Sequence, residues 1–395
     1  MTGIGRLLCI ALAIPATVSC AYLALLTLLS LPLPAPGRSS RRLRFDVIVP
    51  AHNEEDGITR TVASLLAMDW PRDQFRVIVV ADNCSDSTAA VARAAGALVL
   101  ERHDLSRRGK GYALAYAFDE SVRDAFASAV VVIDADAEVS ANLLEAFAVR
   151  IEGGARAVQA HYGILNPESS WRTQLITIAK GAFHVVRSRA RERLGLSCGI
   201  RGNGWCVTHE LLGVAPFRYY SLTEDVEYGI VLGLLGCRVE YAGEAHADAD
   251  MAASEATARS QRQRWEQGRF QLVRARTLPV LAAAVRQRSL LCLDLALDLI
   301  VPPLSYVTLN VFLLGCTALL LLPWDPSAAP WAWWACACAA ALVLHVLRGW
   351  QVSGIGIGGL WALAHVPGFI VWRLWLLLGR KTTEWVRTER EKGRS

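Results

Sequence analysis

No two cysteines of this chain stand in a C-x-x-C spacing, although ten are present. Half of them, Cys9, Cys20, Cys316, Cys336 and Cys338, fall in apolar stretches, which argues against a zinc site or a disulfide framework. Charge is scarce too: 19% of the 395 residues are Asp, Glu, Lys or Arg, against 53% hydrophobic. The net charge of +5 is small for this length and gives no reason to expect nucleic-acid binding. Internal repeats and low-complexity segments are missing as well. What charge there is crowds the middle of the chain, which fits membrane-embedded ends around a water-soluble centre.

Leu7 to Leu33 is almost uncharged and exceeds the roughly 20 residues that cross a bilayer as a helix. It is too long for a signal-peptide core and no A-x-A site ends it, so residues 1–37 are read as an N-terminal transmembrane helix. Arg38, Arg41, Arg42 and Arg44 follow it, against a lone Arg6 before it. That asymmetry places the following residues in the cytoplasm.

From Phe45 the pattern becomes α/β. Phe45 to Pro50 and Phe75 to Val80 read as buried strands, each followed by helical spacing, and this alternation predicts a doubly wound, mostly parallel sheet. A further strand, Ala129 to Ile133, runs into Asp134-Ala-Asp136. Ligands of such sheets gather beyond the carboxyl ends of the strands. In an extended chain residues i and i+2 point the same way, so Asp134 and Asp136 can face one Mg²⁺ or Mn²⁺. The first strand-to-helix turn, His52-Asn-Glu-Glu55, has none of the glycines that let a backbone approach a pyrophosphate. Its carboxylates suit a ribose or a base, which makes Glu54 and Asp82 candidates for nucleoside contacts, while Ser85 and Asp86 read as a turn and helix start. Lys110 lies between two glycines at a helix start, within reach of an anionic ligand. Ala155 to Gln159 reads as another strand.

Trp171 to Arg193 is a basic helical run that suits a membrane surface. The glycine-rich Cys198 to Trp205 follows, where Trp205 could stack on a sugar face. Ser221-Leu-Thr-Glu-Asp225 opens a helix, with Ser221 or Thr223 as cap and Glu224 and Asp225 in the first turn. Arg259 to Arg269 looks helical, and the i, i+3, i+4 rule places Gln261, Arg264 and Trp265 on one face. Those side chains offer an amide, a guanidinium for a diphosphate and an indole; anionic lipid is the other partner such a helix suits.

Residues 286–379 return to the membrane. Leu291 to Pro303, with Asp294 and Asp298 one turn apart, looks interfacial; Leu304 to Leu322 and Trp331 to Leu347 should span. Leu360 to Leu378 is long enough to cross, but a fourth crossing would put the tail 380–395 outside, and its six basic residues mark it as cytoplasmic. Three spans are therefore expected, with the segment around Pro367 interfacial or re-entrant.

Asp82, Asp134-Ala-Asp136, Thr223-Glu-Asp225 and Gln261-Arg-Gln-Arg-Trp265, in this order, resemble the inverting membrane glycosyltransferases of family two, which include cellulose, hyaluronan and poly-N-acetylglucosamine synthases. The similarity covers about residues 45–275. It implies a cytoplasmic GT-A domain over those residues, flanked by transmembrane helices, in a multi-pass plasma-membrane enzyme that uses a nucleotide sugar, first a UDP-sugar. Glu54 and Asp82 would hold uridine, Lys110 would lie near the nucleotide, and Asp134 and Asp136 would hold the diphosphate and a metal. Asp225 would be the base, with Glu224 next in line; Arg264 would meet the diphosphate, and Gln261, Trp265 and Trp205 the acceptor. Ala137 stands where some synthases have a histidine ligand, and His246 is the candidate to complete the metal site. The acceptor implied is a growing exopolysaccharide, or alternatively a lipid. Three spans are few for a secretion channel, so export would call for a partner subunit or an oligomer. A non-catalytic scaffold or transporter fits poorly, because the spans largely lack ionisable residues.

Overall fold

The computed structural model describes residues 2–251 and 255–368, with the side chains of residues 255–265 outside the description. Eight strands form one sheet: β1 (Phe45–Ala51), β2 (Phe75–Asp82), β3 (Leu98–Arg102), β4 (Ala129–Val132), β5 (Ala137–Val139), β6 (Ala157–His161), β7 (Trp205–Thr208) and β8 (Val239–Ala249). Their order is β3-β2-β1-β4-β7-β6-β8-β5. The first four run parallel, as strand–helix–strand crossovers require. β7 runs antiparallel between β4 and β6, and the long β8 pairs parallel with β6 and antiparallel with β5. The sheet is thus mixed but mostly parallel.

Both faces of the sheet are covered, so the central strands are largely apolar rather than alternating, with the buried Asp46 of β1 paired to Arg76 at 2.8 Å. Val47 and Val49 face a cluster with Ile58, Leu65 and Phe147. Ile48 and Val132 face the other way, onto Leu114, Phe118 and Phe217. This packing leaves the chain directly after β4 to project from the sheet's carboxyl edge. Asp134-Ala-Asp136 occupies that position, but in a turn closed by Ala137 N–H donating to the Asp134 carbonyl at 3.1 Å. The two carboxylates therefore converge through a turn, not through the extended alternation expected of a strand.

Among the described residues, three helices are long and apolar enough to cross a membrane: Gly3–Leu28, Leu304–Leu321 and Pro326–Ser353. They pack through small residues, Cys9, Ala13, Ala16, Ala335 and Cys338, together with Leu23, Leu26 and Leu314, and leave Leu7, Ile14, Phe312, Leu320 and Leu344 exposed outside. Small residues at helix contacts and large apolar side chains on the outside suit helices packed in lipid. All ten cysteines are free. Of the expected Leu360 to Leu378 segment, the described part holds a short helix, Gly358–Ala362, and a single turn, Leu363–His365; residues 369–395 lie outside the described residues.

The basic run after Trp171 differs from its expected form. It is an α-helix to Lys180, a wider π-helical turn at Gly181–Val186, and an α-helix again at Arg187–Arg193. Arg187 and Arg191 do not face lipid headgroups, being 4% and 1% exposed. Arg191 lies 2.9 Å from Asp294 and 2.8 Å from Asp298, and Arg187 lies 2.9 Å from Asp298. Tyr22 of the helix Gly3–Leu28 donates to Asp294 at 2.8 Å. Asp294 and Asp298, one turn apart on the helix Leu290–Ile300, thus link that N-terminal apolar helix to the helix Arg187–Arg193.

Candidate active site

A cavity of about 630 Å³ opens beyond the carboxyl edge of the sheet, and Lys110, Asp134, Asp136, Glu224 and Asp225 all line it. Lys110 begins the helix Lys110–Asp124 and donates to Asp134 Oδ1 at 2.5 Å and to the Gly202 carbonyl at 2.8 Å. The Asp134 backbone N–H donates to the buried Asn203 side chain at 2.9 Å. The glycine-rich loop therefore grips the turn from two sides. Gly202 adopts φ +91°, and a Cβ there would come 3.3 Å from Asp225 Oδ2, so glycine allows this loop to pass against the carboxylate.

Glu224 and Asp225 open the helix Glu224–Leu234. Thr223 precedes them without a side-chain cap bond, and Ser221 donates to Glu227 instead, at 2.9 Å. Burial, joined by the charge of Asp225, raises the Glu224 carboxyl above its ordinary range. Burial likewise raises Asp225, against the lowering effect of Lys110. The negative charge of Asp134, Glu224 and Asp225 outweighs burial at Lys110 and holds its ammonium charged. One cation thus stands among three carboxylates.

Sequence reasoning passed over one wall of the cavity. Lys180, His184 and Arg187 recur at i, i+4 and i+7 and all line it. Lys180 sits 3.4 Å from the centroid of the Tyr162 ring and donates to the Gly163 carbonyl at 3.2 Å. Burial lowers its ammonium to about 7, opposed by Asp248, Asp134 and Asp136. The i, i+4, i+7 spacing was visible, but in a run of basic residues it reads equally well as a solvated face.

Other candidates stand apart. Trp205 is a correction: it is 0% exposed in β7, packed among Phe118, Phe217 and Tyr228, and has no face for a sugar. Glu54 and Asp82 do not line the cavity; Asp82 is buried and paired with Arg102 at 2.6 Å. Gln261, Arg264 and Trp265 lie on the helix Glu255–Gln287, but their side chains fall outside the description. Further along, that helix packs close to the start of the helix Glu224–Leu234: a Cβ on Gly268 would come 2.6 Å from Thr223.

His246 groups with His161 and Asp248, one ligand atom of each lying within 4.8 Å of the others, and the group does not include Asp134 or Asp136. Asp248 Oδ1 is fixed by the Gly163 N–H at 2.8 Å, and His161 Nδ1 is buried without a hydrogen-bond partner. Burial holds His161 neutral, its pKa lowered to about 3. The donor sets differ in kind: Asp134 and Asp136 offer hard oxygens fit for Mg²⁺ or Mn²⁺, while the His–His–Asp group suits a borderline cation.

The profile of the family described as "Glycosyltransferase like family 2" matches residues 43–268, more than half of the chain. Beta-monoglucosyldiacylglycerol synthase of Trichormus variabilis is 26% identical over 57% of this chain and 48% of that protein. Cellulose synthase 2 of Novacetimonas hansenii is 24% identical over 66% of this chain and 16% of that protein. The chain thus spans about half the length, or less, of these curated relatives. A solved mannosyltransferase from Pyrobaculum calidifontis, in complex with GDP-Man and Mn²⁺, is similar at 22% identity over 86% of this chain and 98% of that chain, with a TM-score of 0.49. By the family match, and with the mixed, mostly parallel sheet of a GT-A domain, the chain belongs to glycosyltransferase family 2.

Proposed function

We propose that this protein transfers a sugar from a nucleotide sugar, with a UDP-sugar the first candidate, to an acceptor hydroxyl at the cytoplasmic face of a plasma membrane, inverting the anomeric centre. One observation carries the reading: Asp225 and Glu224, with raised carboxyl pKa values, face Lys110, Asp134 and Asp136 across a single cavity. A sugar hydroxyl is a poor nucleophile, so the reaction needs a base on the acceptor side and positive charge on the leaving-group side. Asp225 accepts the hydroxyl proton as the hydroxyl oxygen bonds to the anomeric carbon. The bond from that carbon to the diphosphate breaks, and the nucleoside diphosphate leaves with the electron pair. Attack opposite the leaving group inverts the centre in one step, and no covalent intermediate is needed.

Arg187 stands along the same cavity and supplies positive charge toward a diphosphate, joined by Lys180 when its ammonium, lowered to about 7, is protonated. Asp134 and Asp136 would hold Mg²⁺ or Mn²⁺, which when bound offsets the charge of the leaving diphosphate. His246, with His161 and Asp248, would offer a neighbouring set of ligands. The donor-side roles of Glu54, Asp82 and Arg264 and the acceptor-side roles of Gln261 and Trp265 rest on the family resemblance. Two acceptor classes stand among the relatives, a polysaccharide synthase and a glycolipid synthase. Purified full-length protein with a panel of nucleotide sugars should release nucleoside diphosphate from one of them, and should stop when excess EDTA removes the metal. Full turnover in EDTA would overturn the metal assignment, and no release from any donor would overturn the reading as a whole.

A further inference from the structure

We infer that the acceptor is a membrane lipid carrying a free hydroxyl, held with its hydroxyl toward Asp225 and its hydrocarbon against the apolar residues of the same cavity. The inference rests on the transferase reading above and names its acceptor class. The lining of the cavity is mixed. Beside the ionic Lys110, Asp134 and Asp225 it includes Leu175, Phe183, Leu222, Leu272, Val301 and Leu304. Leu304 is the first residue of Leu304–Leu321, a helix long and apolar enough to cross a membrane, so the cavity reaches the start of that helix.

Three of the polar side chains in the lining have protein partners. Arg269 donates to the carbonyls of Asp298 and Val301, at 2.9 and 2.8 Å. Glu266 accepts from Tyr306 at 3.3 Å, and His345 bonds Thr27 at 2.8 Å. A sugar polymer lying against Leu175, Phe183, Leu272 and Leu304 would bring several hydroxyls per residue onto apolar side chains, losing water without regaining hydrogen bonds there. An acyl or isoprenoid chain meets no such cost, gains apolar contact, and continues directly into the bilayer. A single hydroxyl at the head of that chain is all that Asp225 requires.

The test reconstitutes full-length protein, with the nucleotide sugar found to support turnover, in phosphatidylcholine vesicles. These contain either no addition, dioleoylglycerol, or a long-chain polyprenol; a fourth reaction has plain vesicles with soluble cello-oligosaccharides. A hydroxyl lipid should raise nucleotide release about tenfold or more over plain vesicles and send labelled sugar into the organic phase. Leu272→Gln should raise the KM for that lipid about tenfold, the scale of a changed contact in an apolar pocket, while the KM for the donor reports that the site is folded. Labelled product found only as a water-soluble ladder of lengthening chains would overturn the lipid inference and leave the transferase reading standing. Nucleotide release unaffected by either hydroxyl lipid would likewise reject it, and absence of release in every reaction would reject both.

Discussion

Glu224, buried, and Asp225, half-buried, are neighbours on one helical turn in the same cavity, and the Lys110 ammonium lies within the field of both. Burial and mutual repulsion raise their proton affinity, and Lys110 counters it. A base works unprotonated, so kcat/KM should fall as pH drops through the raised pKa, with an acid limb above the ordinary carboxylate value of about 4. Lys110→Met removes the lowering influence and should move that limb to still higher pH. A pH–rate profile with the limb unmoved in the variant would separate Lys110 from the carboxylates. At this scale the sequence was legible where residue type and order mattered, as with Thr223-Glu-Asp225 and Asp134-Ala-Asp136. It misled at Trp205, because an indole beside glycines looks the same whether it faces a ligand or, as here, the core. Lys180 was read only as part of a basic helix at a membrane surface, for the converse reason: Arg187, Arg189 and Arg191 made a half-buried cation look like one more surface charge.

Elements give the site its frame, and the frame depends on contacts remote in sequence. Strand–helix alternation up to β2 could be read from apolar runs, and so could the spanning helices. β8 could not: its Glu240, Gly243, Glu244 and Asp248 break the apolar run, and its place in the sheet comes from pairing with β6 and β5. The buried ionic network was hidden for a similar reason, since Arg187 and Asp298 stand 111 residues apart. Asp298 takes charge from Arg191, Arg201 and Arg187, which hold its carboxyl well below the usual range although burial alone would raise it. Asp298→Ala leaves those guanidiniums buried without their shared counter-ion and should cost about 3–5 kcal/mol. The expected result is a lower thermal unfolding midpoint in detergent; an unchanged midpoint would show that the network contributes no stability. Because Arg187 and Arg201 also line the cavity, donor affinity should weaken in the same variant.

Taken whole, the molecule places a cavity between a GT-A sheet and the start of Leu304–Leu321, a helix long and apolar enough to cross a membrane. The arginines at 38–44 predict that residues 45–275 and the C-terminal tail face the cytoplasm. Protease added outside intact cells should leave this region uncut and reach it only after lysis; cleavage before lysis would reverse the topology. The account as a whole turns on Asp225 as the group that takes the acceptor proton. Asp225→Asn keeps the size and much of the hydrogen bonding of the side chain but cannot accept a proton near neutral pH. Donor affinity and kcat, measured together on the full-length variant, test the claim most directly. The account predicts near-normal donor binding with kcat reduced by about 10²-fold or more, the scale of losing a positioned base. Retained kcat with donor affinity lost would contradict it, making Asp225 a donor contact and passing the role of base to Glu224.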